Sequence, residues 1–441
     1  MAYRNIRLHP VLRLIYLFLR VLVWISVRVF YRRRLVLGRE YFRFDGPAIV
    51  IINHPSTLMD VLNSAVEIRQ EMFFLANYGL FRHPLSNWLL TRLFCIPVKR
   101  KEDVAEGENR NNDGAFEASY RHLEKNGVLF IAVEGVSWMN RFVRPIKTGA
   151  ARIALGAEAH NGWNLDVKII PIGLSYSAPH LFRSDVVVQA GEPVYAREWS
   201  ENWQKNPAQA AKDLTQYLED QLKALSIHTR DEAGEALITR LEELLQNENP
   251  LPQQAAFERS QRLTHTVLDN ADLREKTEAY FALLNKHGLT DRGICDLRFT
   301  IYDWRLAIYD WRLVGLALGF PVFAAVYVFW FLPCYLPWLL NKKMGLYIGY
   351  SSTVKIVAGM ITFPLALWGW YRLALAAGLE PVWAWAVLVG FTALGFFVDV
   401  YQDWWRDWRA ARRVRRVEKE QPEVVAAIRK MRLEITVLIS G

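Results

Sequence analysis

Two apolar runs near the carboxyl end, residues 356–377 and 382–398, leave this chain few choices of environment. Each is close to the roughly 17–25 apolar residues a helix needs to cross a bilayer. Only Gly378-Leu379-Glu380-Pro381 separates them, so they read as a tight transmembrane hairpin. A third apolar stretch, 313–340, is interrupted by Pro321, Pro333 and Pro337. Proline removes a helical hydrogen bond, so this stretch reads as broken, a re-entrant segment with a span left open as the alternative. Lys342, Lys343 and Lys355 precede the hairpin, and Arg406, Arg409, Arg412, Arg413, Arg415 and Arg416 follow it. Excess Lys and Arg marks cytoplasmic flanks, so both hairpin ends are expected in the cytoplasm, and so is the sheet domain if the stretch at 313–340 re-enters rather than spans. The expected location is an integral protein of a bacterial inner membrane or the endoplasmic reticulum.

The amino end carries another apolar region, 6–37, with Arg13, Arg20 and Arg28 on one helical stripe. A spanning helix would bury Arg20 near mid-bilayer at a high cost. A helix lying in the membrane interface suits the pattern better. The formal charge of +9 therefore points to a lipid surface and not to nucleic acid, because the basic clusters flank apolar segments. Cys95, Cys295 and Cys334 are scattered without ligand spacing, which argues against structural zinc and a disulfide framework. A seven-residue repeat, Ile301-Tyr-Asp-Trp-Arg-Leu-Ala307 and Ile308-Tyr-Asp-Trp-Arg-Leu-Val314, suits a membrane-surface helix.

Between these ends the pattern changes. Strand-like runs at 48–52, 72–76, 94–98, 128–133, 167–174 and 186–190 alternate with helical stretches such as 115–125 and 150–159. Such alternation predicts an α/β sheet domain. A polar helical region follows, with heptad-like spacing at 210–225 and 232–245 and no evident chemistry. The expected organisation is an interface helix at 1–37, a sheet domain at 38–200 and a helical insertion at 201–300. A membrane domain at 301–405 and a basic cytoplasmic tail at 406–441 complete it.

The sheet domain holds the chemistry. Asn53-His54-Pro55-Ser56 follows the apolar run 47–52, which puts an imidazole on a loop at a strand end. Asp60 comes six residues later, off the same helical face, so the pair meets only if the segment between them begins as a turn. A carboxylate-oriented histidine can take a proton from a hydroxyl. Ser56 reads as a cap for the helix that follows rather than as a nucleophile. Glu134-Gly135 stands at the end of another strand, and Arg141, Arg144 and Lys147 lead into a helix at 150. A helix N-terminus beside basic side chains suits a phosphate. Lys99 and Arg100 end a further strand-like run, and ligands of α/β sheets bind at strand ends.

These residues resemble the glycerolipid acyltransferase family. Its Asn-His-Asp motif is matched by Asn53, His54 and Asp60, its motif ending in arginine by Arg100, and its Phe-Pro-Glu-Gly by Ala132-Val133-Glu134-Gly135. Its strand proline is matched by Pro171. The closer resemblance, over about residues 40–200, is to the fungal-type glycerol-3-phosphate/dihydroxyacetone-phosphate acyltransferase branch. The six-residue His–Asp spacing, Lys147-Thr148-Gly149, Pro179-His180-Leu181-Phe182-Arg183-Ser184 and Gly191-Glu192-Pro193 carry it. The third motif lacks Phe and Pro, and Val136-Ser137 replace its usual sequel, so Arg141, Arg144 or Lys147 stand in for the missing phosphate-gripping arginine.

The resemblance implies a mixed sheet flanked by helices, with His54 and Asp60 catalytic. Arg100, Glu134, Gly135, Arg144 and Lys147 would bind substrate. No metal or bound cofactor is expected. The co-substrate would be acyl-CoA or acyl-carrier protein, and the partners are membrane lipids, with oligomeric state left open. The expected reaction is acyl transfer from a thioester to a hydroxyl of glycerol 3-phosphate or a related acceptor. Two alternatives stand beside it: a lysophosphatidate or other lysolipid acyltransferase, and a non-catalytic membrane-remodelling protein.

Overall fold

The computed structural model describes residues 10–92, 95–99, 112–298 and 305–440. The chain divides into two compact units. The first comprises Met1–Arg230 with Leu346–Thr353, the second Asp231–Gly345 with Val354–Gly441.

In the first unit the order is α1 (Pro10–Phe30), β1 (Arg33–Leu37), β2 (Ala48–Ile52), α2 (Leu58–Ala65), β3 (Met72–Asn77), α3 (Pro84–Arg92), β4 (Cys95–Val98) and α4 (Asp113–Leu123). It continues with β5 (Val128–Ala132), α5 (Gly149–His160), β6 (Lys168–Tyr176), β7 (Asp185–Ala190), β8 (Val194–Tyr195), α6 (Ser200–Lys205) and α7 (Pro207–Ala224). The strands form one mixed sheet in the order β1-β7-β6-β2-β5-β3-β4, with β8 beside β6. All neighbours are parallel except β6 with β7 and β6 with β8.

The central strand explains itself. All five residues of β2 are fully buried, as a strand covered on both faces of a parallel sheet must be. Its Ile49 and Ile51 join one core cluster with Leu129 and Ile131 of β5, Ile153 and Ala154 of α5, and Leu214, Leu218 and Leu222 of α7. Each such side chain contributes about 1.5–3 kcal/mol by leaving water. The burial of α7 leucines in this cluster places α6 and α7 with the sheet, so the domain does not end at residue 200.

The amino-terminal region is also more than a membrane helix, because β1 closes the edge of the sheet against β7. α1 turns Leu14, Phe18 and Val21 outward. Its arginine stripe is directed at protein: Arg13 pairs with Glu71 at 3.0 Å, and Arg20 donates to the carbonyls of Arg69 (3.0 Å) and Val66 (3.4 Å).

The second unit is helical: α8 (Glu232–Glu248), α9 (Gln253–Thr266), α10 (Ala271–His287), α11 (Asp291–Arg298), α12 (Arg305–Met344), α13 (Ser351–Ala376), α14 (Pro381–Glu420) and α15 (Pro422–Ser440). A buried charge network ties α8, α10, α11 and α15. Arg432 Nε meets Asp291 Oδ1 at 2.8 Å, its Nη1 pairs with Glu248, and Tyr280 and Asn247 donate to Asp291 at 2.5 and 2.8 Å. Among the described residues, four helices are long and apolar enough to cross a membrane, over Pro10–Phe30, Leu313–Met344, Ile348–Ala376 and Pro381–Glu420, which fits membrane association.

Two expectations change in this unit. The prolines do not break the stretch at 313–340, which is one continuous helix through Pro321, Pro333 and Pro337. A proline frees the carbonyl four residues before it, and in lipid a neighbouring helix must satisfy that group. Here α13 does so. Pro333 frees the carbonyl of Phe329, which accepts from Trp370 Nε1 at 3.1 Å. Pro337 frees the carbonyl of Pro333, which accepts from Thr362 Oγ1 at 3.0 Å. α13 and α14 join through a short turn, with Tyr371 against Trp385 at 5.1 Å, and α14 also lies along α12. The pair is antiparallel, with Phe329 stacked on Phe391, Phe323 on Tyr401, and Gly315 against Trp404. Second, residues 406–440, expected as a basic tail, are helical: α14 runs to Glu420 and α15 follows, burying Ala411, Val414, Val425, Ile428 and Ile435. Of the seven-residue repeat, 301–304 lie outside the described residues and the remainder opens α12.

Candidate active site

Parallel pairing brings the chemistry together. Ile52 of β2 is level with Ala132 of β5 and Ile172 of β6, so the residues that follow β2 and β5 emerge at one edge. Asn53 fixes the departing loop. Its side chain accepts from Leu174 N at 2.8 Å and donates to Leu174 O at 2.9 Å, a buried two-point clamp on β6.

His54 Nδ1 then lies 3.0 Å from Asp60 Oδ2. The same carboxylate oxygen accepts from Ser56 N at 2.6 Å. Asp60 is wholly buried, and burial raises its carboxyl above the ordinary range, against the lowering effect of His54, the Ser56 N–H and Tyr176. A carboxylate accepting at Nδ1 keeps the ring proton there and leaves Nε2 as the basic nitrogen. His54 is anchored at its backbone as well. Its N–H donates to Glu134 Oε1 at 2.9 Å, and its carbonyl accepts from Trp138 N at 3.2 Å. Burial pushes the Glu134 carboxyl up to about 7, opposed by its hydrogen bond from His54.

The turn that the His–Asp spacing requires is strained. Thr57, not Ser56, precedes the first residue of α2, with φ 47° and ψ −123°. Met59 N donates to Ser56 O at 3.0 Å across it. These are the angles of the first central position of a type II′ turn, a place for glycine. A β-branched residue there persists only if its surroundings over-determine it. Three contacts do. Thr57 N donates to Ser137 Oγ at 2.9 Å, Thr57 Oγ1 donates to Gly349 O at 3.2 Å, and Thr353 Oγ1 lies 2.8 Å from Thr57 Oγ1. Since the Thr57 proton points at Gly349, Thr353 is the donor in the last pair. Ser56 Oγ, buried, lies 3.3 Å from Ser352 Oγ and does not cap α2.

The basic loop follows β5. Gly135 has φ +78°, and a side chain there would meet Lys147 Cγ at 3.7 Å, so Lys147 runs directly across the glycine. Lys147 N donates to Val133 O at 2.8 Å. The Arg144 guanidinium stacks over Trp138 (4.4 Å) and Phe142 (4.8 Å), and its buried Nε has no hydrogen-bond partner. His54, Asp60, Glu134, Gly135, Arg144 and Lys147 thus cluster at one sheet edge. Arg100 lies outside the described residues. Among the described residues no group of three or more His, Cys, Asp or Glu is placed to hold a metal ion.

Residues 33–175, which include all of these, match the family model described as Acyltransferase. This stretch is an acyltransferase domain. Two curated relatives are similar to the chain. Glycerol-3-phosphate O-acyltransferase 2 of Saccharomyces cerevisiae (strain ATCC 204508 / S288c) is 27% identical over 201 residues, 44% of this chain and 27% of the relative. Glycerol-3-phosphate O-acyltransferase 1 of the same organism is 28% identical over 183 residues, 39% of this chain and 24% of the relative. The chain spans about a quarter of the length of those relatives. Among solved structures, the 1-acyl-sn-glycerophosphate (LPA) acyltransferase PlsC from Thermotoga maritima is similar over 46% of this chain and 76% of its own, with 19% sequence identity and a TM-score of 0.34.

Sequence reasoning named His54, Asp60 and the basic loop of this acyltransferase domain but missed what holds them. Thr57 and Ser137 carry no motif signal. Ser352 and Thr353 stand 296 residues from their partners, beyond any local pattern.

Proposed function

We propose that the chain transfers a fatty acyl group from a thioester donor, acyl-CoA or acyl-carrier protein, to a hydroxyl of glycerol 3-phosphate. The observation that carries this reading is the His54–Asp60 pair, 3.0 Å apart at the strand edge of an acyltransferase domain. His54 Nε2 takes the proton of the acceptor hydroxyl, whose oxygen attacks the thioester carbonyl carbon. Asp60 holds the Nδ1 tautomer and stabilises the imidazolium, the logic of a triad without its serine. The tetrahedral intermediate collapses, the carbon–sulfur bond breaks, and the thiolate receives the proton from His54. An ester and a free thiol result.

Lys147 and Arg144, with Arg100, bind the acceptor phosphate. Their roles differ: Lys147 crosses an open glycine, while the stacked Arg144 offers a planar fork fixed in place. Glu134 is a positioning residue, because it grips the His54 backbone rather than the ring. The apolar face of α1 would hold the site at a membrane surface, where the acyl product enters the lipid. The names of the two yeast relatives favour glycerol 3-phosphate over lysophosphatidate as acceptor.

The test is mass spectrometry of lipids formed by the purified full-length protein, offered both thioester donors with glycerol 3-phosphate or lysophosphatidate. Lysophosphatidate formed from glycerol 3-phosphate, and lost in His54→Ala, supports the reading. No thioester-dependent product from the wild type overturns it.

A further inference from the structure

The second unit contains a groove of about 1010 Å³ between the end of α10, the start of α11 and the carboxyl half of α14. Six arginines line it against three carboxylates. Two of those carboxylates are already neutralised: Asp407 pairs with Arg292 at 2.7 Å and Glu420 with Arg416 at 2.9 Å. Arg406 pairs with Asp403 at 2.9 Å. Arg413 lies against Gly288, the left-handed cap of α10, where helix carbonyls attract a cation. Arg409 and Arg412 remain, with no ion pair among the described residues.

Those two are held in place by aromatic rings. Arg409 sits over Trp405 at 5.7 Å and Arg412 over Trp408 at 5.2 Å, and the two indoles stack on each other at 5.2 Å. Stacking restricts each guanidinium before any ligand arrives, so fewer rotamers are lost on binding. Two fixed planar forks beside uncompensated charge match a phosphate.

Continuity with the membrane segment decides which phosphate. The groove lies on the helix whose apolar part ends at Val398, and Asp399 is its first charged residue. Arg409 follows ten residues later on the same helix, about 15 Å along its axis. Trp404, Trp405 and Trp408 stand between apolar and basic halves, where amphipathic rings meet the headgroup layer. We propose that this groove binds the headgroup of an anionic phospholipid, with Arg409 and Arg412 as its phosphate ligands. This groove uses none of the acyl-transfer residues and does not depend on their assignment.

The full-length protein is tested in detergent micelles containing phosphatidylcholine and phosphatidylglycerol, with retained lipids counted by native mass spectrometry. The wild type is expected to keep phosphatidylglycerol in preference to phosphatidylcholine. Arg409→Gln with Arg412→Gln should lower that retention about tenfold and leave phosphatidylcholine unchanged. Arg409→Lys with Arg412→Lys keeps the charge without the planar fork and should fall between them. This second variant carries the measurement if thermal unfolding shows the glutamine variant misfolded. Added inorganic phosphate should not displace the lipid. Equal retention by all three proteins overturns the proposal, as does full displacement by inorganic phosphate. Binding of acyl-carrier protein but no lipid by the wild type would also overturn it, since the groove would then serve an acidic protein.

Discussion

Replacing Thr353 by valine keeps its shape and removes one hydroxyl. In the wild type that hydroxyl donates to Thr57 Oγ1 at 2.8 Å and helps hold a backbone with φ 47°. Such a conformation costs a non-glycine residue about 1–3 kcal/mol. The lost bond, with the partially unsatisfied buried oxygen it leaves, is expected to cost about 1–2 kcal/mol. Thr57 is only three residues from His54 and Asp60, so most of this should appear in acyl transfer, as about a tenfold fall in kcat/KM. Thr353→Ser keeps the hydroxyl and should retain most activity. The informative background is Thr57→Gly. Glycine adopts the turn without strain and offers no Oγ1, so Thr353→Val should then cost only a few tenths of a kcal/mol. Initial rates and thermal unfolding of all four proteins form a double-mutant cycle. Strictly additive losses would refute the idea that residue 353 acts through the strained turn.

The other expectations concern separate parts of the molecule. His54→Ala should lower turnover by about 10²–10⁴-fold, and Asp60→Asn should lower kcat more than it changes KM, both read by initial rates in the acyl-transfer assay. Glu134 is held protonated up to about pH 7 against an ordinary value of 4.5. The stability it contributes is full below pH 4.5 and is lost as pH rises through 7, by about 3 kcal/mol. Denaturation across that range should show the decline in the wild type and a flatter profile in Glu134→Gln. Asp291→Ala leaves the buried Arg432 facing Glu248 alone and should destabilise the second unit by about 3–5 kcal/mol in denaturant titration. Thr362→Ala should cost about 0.6–1.7 kcal/mol by uncovering the Pro333 carbonyl. Pro337→Ala, which restores the missing N–H, should suppress that loss in the same unfolding assay.

The sheet was legible because its strands are continuous apolar runs bounded by turn residues. The expected run at 48–52 is β2 itself, and five of the other expected runs overlap β3 to β7. β1 was hidden, since Arg33-Arg34 open it and its pairing partner β7 lies about 150 residues away. The reactive edge was legible for the same reason: parallel strands deliver whatever follows them to a common side. The turn geometry was not. Nothing in Ser56-Thr57-Leu58 announces a left-handed threonine, because the forces that hold it come from residues 137, 349 and 353. α12 was misread by a rule for water-exposed helices. Prolines 333 and 337 break a helix when nothing replaces their hydrogen bonds, and the replacements are side chains of α13.

That replacement constrains how the second unit is made. When α12 leaves the ribosome, the carbonyls of Phe329 and Pro333 are among those its own backbone cannot satisfy. Their donors are Thr362 and Trp370, which emerge 29 and 41 residues after the carbonyls they serve. During synthesis α12 is therefore an unfinished helix, and it should linger beside water or the insertion machinery until α13 arrives. The two helices should enter lipid together as one object, with the prolines acting as a timing signal written into the first of them.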